Sequence, residues 1–179
     1  MSDPPHAVVV RRAGTNEHDA GLLAALGARL FEEAFGPMNE PENVQLFLAK
    51  TYSPDLQLAE LRDTDRAAWV AEAEGEAIGY AIARLGSRSP SVFARRPAEL
   101  QRIYAARAWH GRGVGAALMD ACVAQARAWG CDVLWLGVWE ENPRGIAFYE
   151  KAGFRRVGEQ RFLVGTDSQR DHVMALSLA

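Results

Sequence analysis

The sequence predicts a mixed α/β domain, a single sheet with helices on its faces, and three observations predict it. Segments of strand and helix character follow one another in the order β-α-α-β-β-β-α-β-α-β-β. A glycine-rich turn, His110-Gly111-Arg112-Gly113-Val114-Gly115-Ala116, joins a strand-like segment to an Ala-rich segment of helical period. The run Val133-Leu134-Trp135-Leu136-Gly137-Val138-Trp139 is apolar throughout and of strand length, as in a strand buried on both faces.

Each element has a local reason. Ala7 to Arg11 reads as the first strand. Thr15-Asn16-Glu17-His18 supplies a cap and an acidic first turn, and Leu22, Leu23, Leu26, Leu30 and Phe31 keep helical spacing to Phe35, where Gly36-Pro37 stops the helix. Pro41 to Tyr52 reads as a second helix on Val44, Leu46, Phe47 and Leu48, and Pro54 to Arg62 as a further short one. Ala67 to Ala73 and Ala77 to Leu85, joined at Glu74-Gly75-Glu76, form a hairpin. Residues 87–97 hold two prolines and three serines and read as loop, before the strand Glu99 to Ala105. After the strand at 133–139, Pro143 to Ala152 is a short helix stopped by Gly153. Phe154 to Val164 and His172 to Leu178 are the last strands, joined around Gly165-Thr166-Asp167.

Composition excludes several classes. The 179 residues, 49% hydrophobic, contain no linker, repeat or low-complexity tract, so 1–179 reads as one domain. A net charge of −3 and a pI near 5.8 argue against a nucleic-acid partner and suit a cationic one. Cys122 and Cys131 lack a metal-ligand rhythm and read as two reduced thiols. His6, His18 and His172 are scattered and suggest no metal. No apolar run approaches the ~18 residues of a membrane span and no signal-peptide pattern opens the chain, so the expected location is cytoplasmic, away from any membrane.

The glycine turn has the makings of an anion cradle. Glycines let backbone N–H groups approach, and the helix that opens there adds unpaired donors and its positive dipole end. No Gly-Lys-Ser/Thr follows, which removes a nucleotide-binding P-loop.

His110 to Gly115 resembles the Gln/Arg-x-x-Gly-x-Gly/Ala turn of the GCN5-related N-acetyltransferase (GNAT) superfamily. Asn142-Pro143-Arg144-Gly145-Ile146-Ala147-Phe148-Tyr149-Glu150-Lys151-Ala152-Gly153-Phe154 resembles its Asn-x-x-Ala-x-x-Phe-Tyr-x-x-x-Gly-Phe segment. The likeness covers residues 8 to 178. Within it, Glu99 to Tyr104, Trp135 to Asn142, Phe162 to Gly165, Asp171 and Met174 are similar to bacterial spermine/spermidine acetyltransferases, as are Phe31 to Phe35 and Asn39 to Glu42. Two positions depart from the pattern: His110 replaces Gln or Arg, and Gly145 replaces Ala.

The resemblance implies a mostly antiparallel sheet with splayed central strands and direct acetyl transfer from acetyl-CoA to an amine, without metal. The diphosphate is then expected on the backbone of His110, Gly111, Arg112, Gly113, Val114, Gly115 and Ala116. The pantetheine arm would pair with Ile103, Tyr104 and Ala105, and Asn142 would contact the arm or cap its helix. An alkylammonium must lose its proton before attack, the oxyanion needs N–H donors, and the leaving thiolate needs a proton. Tyr149 is the expected general acid, against a packing role for the ring. Glu99, eleven residues before His110, is the expected base, against a solvated strand end or an electrostatic hold on a cationic substrate. The expected acceptor is a small amine, polyamines first. A protein amine, or a silent acetyl-CoA sensor, are the other readings. The terminal strand pair leaves room for a homodimer.

Overall fold

A computed structural model describes residues 7–179; His6 lies outside the described residues. The chain opens with β1 (Val9–Arg12) and α1 (Glu17–Phe35). Asn16 caps α1 by accepting the Asp19 N–H at 2.9 Å, and a 3₁₀ turn over Gly36–Met38 follows the helix. Proline starts both α2 (Pro41–Thr51) and α3 (Pro54–Arg62), where its missing N–H has no helical partner to lose. β2 (Arg66–Ala73) and β3 (Glu76–Leu85) form the expected hairpin, its turn residues Glu74 and Gly75 both at positive φ. Then come β4 (Pro97–Ala105), α4 (Val114–Ala128), β5 (Val133–Trp139), α5 (Pro143–Lys151), β6 (Arg155–Val164) and β7 (Asp167–Ser177).

The strands make one seven-stranded sheet in the order β1-β2-β3-β4-β5-β7-β6. All neighbours are antiparallel except β4 and β5. This is the mixed, mostly antiparallel α/β domain that the sequence predicts. Its functional feature is the failure of β4 and β5 to stay together. They pair only from Pro97↔Val133 to Glu99↔Trp135. The β3–β4 register then slips between Ile82↔Arg102 and Ala83↔Leu100, which leaves Gln101 as the bulged residue. Beyond Glu99 the two central strands part.

Each sheet face carries its own core. On one, α4 lays Val114, Leu118, Met119 and Cys122 against Leu100, Leu134, Leu136 and Phe154. On the other, α1 and α2 bury Leu23, Leu30, Phe31 and Val44 against Val70, Tyr80 and Ile82. Some boundaries differ from expectation. β4 starts two residues early, at Pro97, a first position where the lost N–H is harmless. β7 starts at Asp167 rather than His172, because Gly165-Thr166 makes a tight turn and polar residues 167–170 pair with β6 alone, outside the apolar core. Hydrophobic patterning cannot mark such a stretch.

Candidate active site

The parted strands decide which backbone groups are free. Ala106 donates its N–H to the Ile78 carbonyl at 2.8 Å, which sets the phase of the β3–β4 ladder. Tyr80–Tyr104 and Ile82–Arg102 are then hydrogen-bonded pairs, so Tyr104 directs its backbone groups to β3. Those of Ile103 and Ala105 point into the gap. The His110 ring closes part of it, its Nε2 lying 2.9 Å from the Ala105 carbonyl. His110 therefore acts as a brace between the strand end and the glycine turn, a side-chain role its residue type alone does not suggest.

The glycine turn delivers an uncapped helix. Gly111 and Gly113 both have positive φ (75° and 83°), a conformation that disfavours any side chain. Gly113 is the N-cap of α4 and offers no side-chain hydrogen bond to it. The first-turn N–H groups of Val114, Gly115 and Ala116 thus face outward without an intrahelical acceptor. Arg112 stacks over the Trp109 ring at 5.1 Å beside them. The cradle fits a diphosphate: donors and the dipole's positive end are present, and no carboxylate caps them.

α5 is held close to this cradle. A Cβ on Gly115 would lie 3.2 Å from the Phe148 ring, so α4 and α5 approach tightly there. Asn142 is the N-cap of α5, its Oδ1 accepting the Gly145 N–H at 3.0 Å. A Cβ on Gly145 would come within 2.6 Å of the Asn142 Nδ2, so a side chain there would require the Asn142 amide to shift. Tyr149 projects from α5, half-buried, with its ring against Phe148 and Phe154. Its hydroxyl has no hydrogen-bond partner among the described residues. Burial raises its pKa beyond the usual value for a phenol, so it stays protonated at neutral pH.

Glu99 occupies the last β4–β5 pair, at the closed end of the gap. Its carboxylate accepts the Ser87 hydroxyl at 2.6 Å, and the Ser87 carbonyl in turn accepts the Trp135 indole N–H at 2.9 Å. A second carboxylate, Asp171, enters the sequence reading only as part of the polyamine-acetyltransferase resemblance, without a role. Asp171 sits opposite Trp139 on β7, 6% exposed, and receives no hydrogen bond from any described residue. Desolvation pushes its pKa up to about 6. Its sequence signal was the parity of β7: Asp171, Val173 and Ala175 form one row, in which a carboxylate is out of place.

On the sheet face of Tyr104, a cleft of about 530 Å³ opens between α2, α3 and the β6–β7 hairpin. Phe47, Leu56, Glu60, Arg102, Phe162 and Leu163 are among its walls. Arg102 donates twice to Glu60 (2.6 and 3.0 Å), and Arg66 pairs with the same carboxylate at 2.8 Å. Arg102 also lies over the Tyr52 ring, whose hydroxyl is 2.6 Å from that of Tyr80. Asp63, the other carboxylate of the cleft, pairs with Arg66 at 3.1 Å, so both carboxylates are already neutralised. Among the described residues no His/Cys/Asp/Glu cluster could hold a metal, and no helix is long and apolar enough to cross a membrane.

Comparison with known proteins agrees with this geometry. Residues 28–154 match the Acetyltransferase (GNAT) family. An N-acetyltransferase of Mycobacterium bovis is 36% identical over 89% of this chain and 98% of its own. One from Lactobacillus delbrueckii subsp. lactis is 30% identical over 94% and 98%. The PaiA N-acetyltransferase of Thermoplasma acidophilum, solved with coenzyme A, shares the fold with a TM-score of 0.75 at 18% identity, covering 96% of this chain and 99% of its own. The parted β4–β5 pair, the uncapped helix beside it and these matches have one meaning: the chain belongs to the GNAT acetyltransferase family, an acyltransferase whose acyl donor is acetyl-CoA.

Proposed function

We propose that the protein transfers the acetyl group of acetyl-CoA directly to a primary amine of a small molecule, with a polyamine such as spermidine or spermine as the first acceptor class. The observation that carries the small-molecule reading is the cleft on the Tyr104 face, one wall of which is Arg102 of β4. Its volume of about 530 Å³ falls within the range of ~300–1,000 Å³ typical of small-ligand sites.

Acetyl-CoA supplies the activated acyl group, and this chain's residues supply the rest. The N–H groups of Val114, Gly115 and Ala116 hold the diphosphate, and the gap-facing groups of Ile103 with the Ala105 N–H align the arm. The Ile103 N–H is the donor for the oxyanion. Tyr149 gives its proton to the leaving sulfur. The incoming ammonium loses its proton to a carboxylate on this sheet face. Glu99, at the closed end of the gap, is the one the sequence singles out.

The test is CoA release from acetyl-CoA by the purified chain across spermidine, spermine, simple diamines, amino acids and basic peptides, beside a blank without acceptor. Saturable release with one of the small amines is expected. Release with peptides alone moves the reaction to protein amines. Tight acetyl-CoA binding with no transfer to any acceptor overturns the enzymatic reading in favour of a sensor.

A further inference from the structure

Asp171 is the one buried carboxylate of the described residues with no donor on it; Asp19, the other, is held by Arg11 at 2.9 Å. Its position is specific. A Cβ on Gly137 would lie 3.0 Å from the Asp171 Oδ2, so the carboxylate leans from β7 over β5 at the residue without a side chain. That brings it to the edge of the gap, where Tyr104 of β4 is near enough to feel its charge. The Gln160 Nε2 reaches the same spot from β6. The Phe35 ring stands edge-on to both Tyr104 (6.1 Å) and Trp139 (6.2 Å), the residue opposite Asp171.

Three aromatic rings and one unpaired carboxylate around the mouth of a gap describe a receptor for an ammonium group. Ring faces attract a cation within ~6 Å, and the carboxylate completes the charge. We propose that Asp171, on the same sheet face as Tyr104 and Trp139 and the Phe35 ring packed against them, receives the acceptor's ammonium and takes its proton. The assignment rests on the acetyl-transfer reading and names the catalytic carboxylate within it. The balance is simple. One N–H bond of the ammonium breaks and its proton goes to Asp171; the freed lone pair forms the C–N bond as the C–S bond breaks. The sulfur takes the Tyr149 proton. The amine's second surplus proton returns to Tyr149, and Asp171 loses its own to water.

Other groups facing this carboxylate do not supply the role. Tyr104 is held protonated by burial, Gln160 is uncharged, and Trp139 and Phe35 do not titrate. Arg170, the adjacent cation in the chain, is occupied by Glu140 at 2.8 Å. Glu99 carries the Ser87 hydroxyl and lies at the closed end of the gap.

Two measurements on the full chain test the proposal. The first follows ¹³C-carboxyl aspartate signals between pH 4 and 8, with Asp171→Asn identifying the resonance. Addition of n-butylamine should lower the Asp171 midpoint by at least half a pH unit, and n-butanol should not. An unmoved midpoint overturns the assignment. The second compares kinetics with the best amine of the panel. Asp171→Asn should lower kcat/KM by ~10²-fold or more, remove the acidic limb of the pH profile and leave acetyl-CoA affinity unchanged. A wild-type rate and profile in that variant overturn it equally. If the wild type acetylates no amine, the functional reading fails separately, and the carboxyl titration alone decides on Asp171.

Discussion

Tyr149 and Asp171 approach the parted strands from opposite flanks, and burial acts on both in the direction their proposed tasks require. A phenol raised above its ordinary pKa keeps its proton until a stronger base develops beside it. Tyr149→Phe removes that proton and little else, since the ring contacts to Phe148 and Phe154 survive. We expect kcat to fall ~10²- to 10⁴-fold, with the acetyl-CoA Kd within about twofold of wild type by calorimetry. Asp171 adds a prediction about stability. Its folded pKa, about 6, lies above the unfolded value, so the native state holds this proton better and loses that advantage as pH rises through 6. Asp171→Asn should therefore be more stable than wild type at pH 8, by ~1–2 kcal/mol after allowance for solvent screening, and no more stable at pH 4. Urea melts at the two pH values check it. A residue kept for packing would not combine that gain with a loss of turnover. Tyr149 is singled out by its motif, whereas Asp171 is named only within the resemblance and its burial shows once β7 is paired, because its row is defined by its neighbours' faces.

At the scale of elements, the glycine turn was readable and the bulge was not. Three glycines between a strand and an Ala-rich helix announce an uncapped N-terminus, and Gly113 provides it. Gly113→Ala forces a side chain into the left-handed region, which costs ~1–2 kcal/mol, and also disturbs the amides proposed to hold the diphosphate. The expected result is a rise of at least tenfold in the acetyl-CoA Kd with the fold retained by circular dichroism; an unchanged Kd would remove the cradle from the binding site. The parting of β4 from β5 came only through the family resemblance. Nothing in Leu100-Gln101-Arg102-Ile103 marks Gln101 as the residue that slips out of register, since a bulge is set by the partner strand. The first half of β7 was missed for the related reason that a two-stranded ribbon beyond the core needs no apolar alternation.

Across the molecule, the two cores lie on opposite faces and charged pairs tie the layers at their margins. Glu60 of α3 binds Arg66 of β2 and Arg102 of β4 together, with side-chain exposures of 19%, 15% and 12%. Glu60→Gln leaves the poorly hydrated Arg102 guanidinium without its counter-charge and Arg66 with Asp63 alone. A loss of ~3 kcal/mol in urea unfolding is expected, with the cleft wall loosened at the same time. A change below ~0.5 kcal/mol would mean that water already screens this cluster. The overall α/β architecture and the element order followed from periodicity and punctuation alone. The cleft did not, because α2, α3 and the β6–β7 hairpin meet there from segments more than a hundred residues apart, as the Thr166 N–H on the Asn43 side chain at 2.9 Å shows.

The cysteines bear on how this enzyme is best watched. Cys122 lies at 0% exposure inside α4, its thiol pushed up to about 12 by burial, and Cys131 is 7% exposed with its thiol raised in the same way. Only thiolates react quickly with disulfide dyes. The native protein is therefore dark to such reagents, and every equivalent of colour in an acetyl-transfer reaction belongs to liberated CoA. Colour arising without acetyl-CoA instead times the opening of α4 from the sheet.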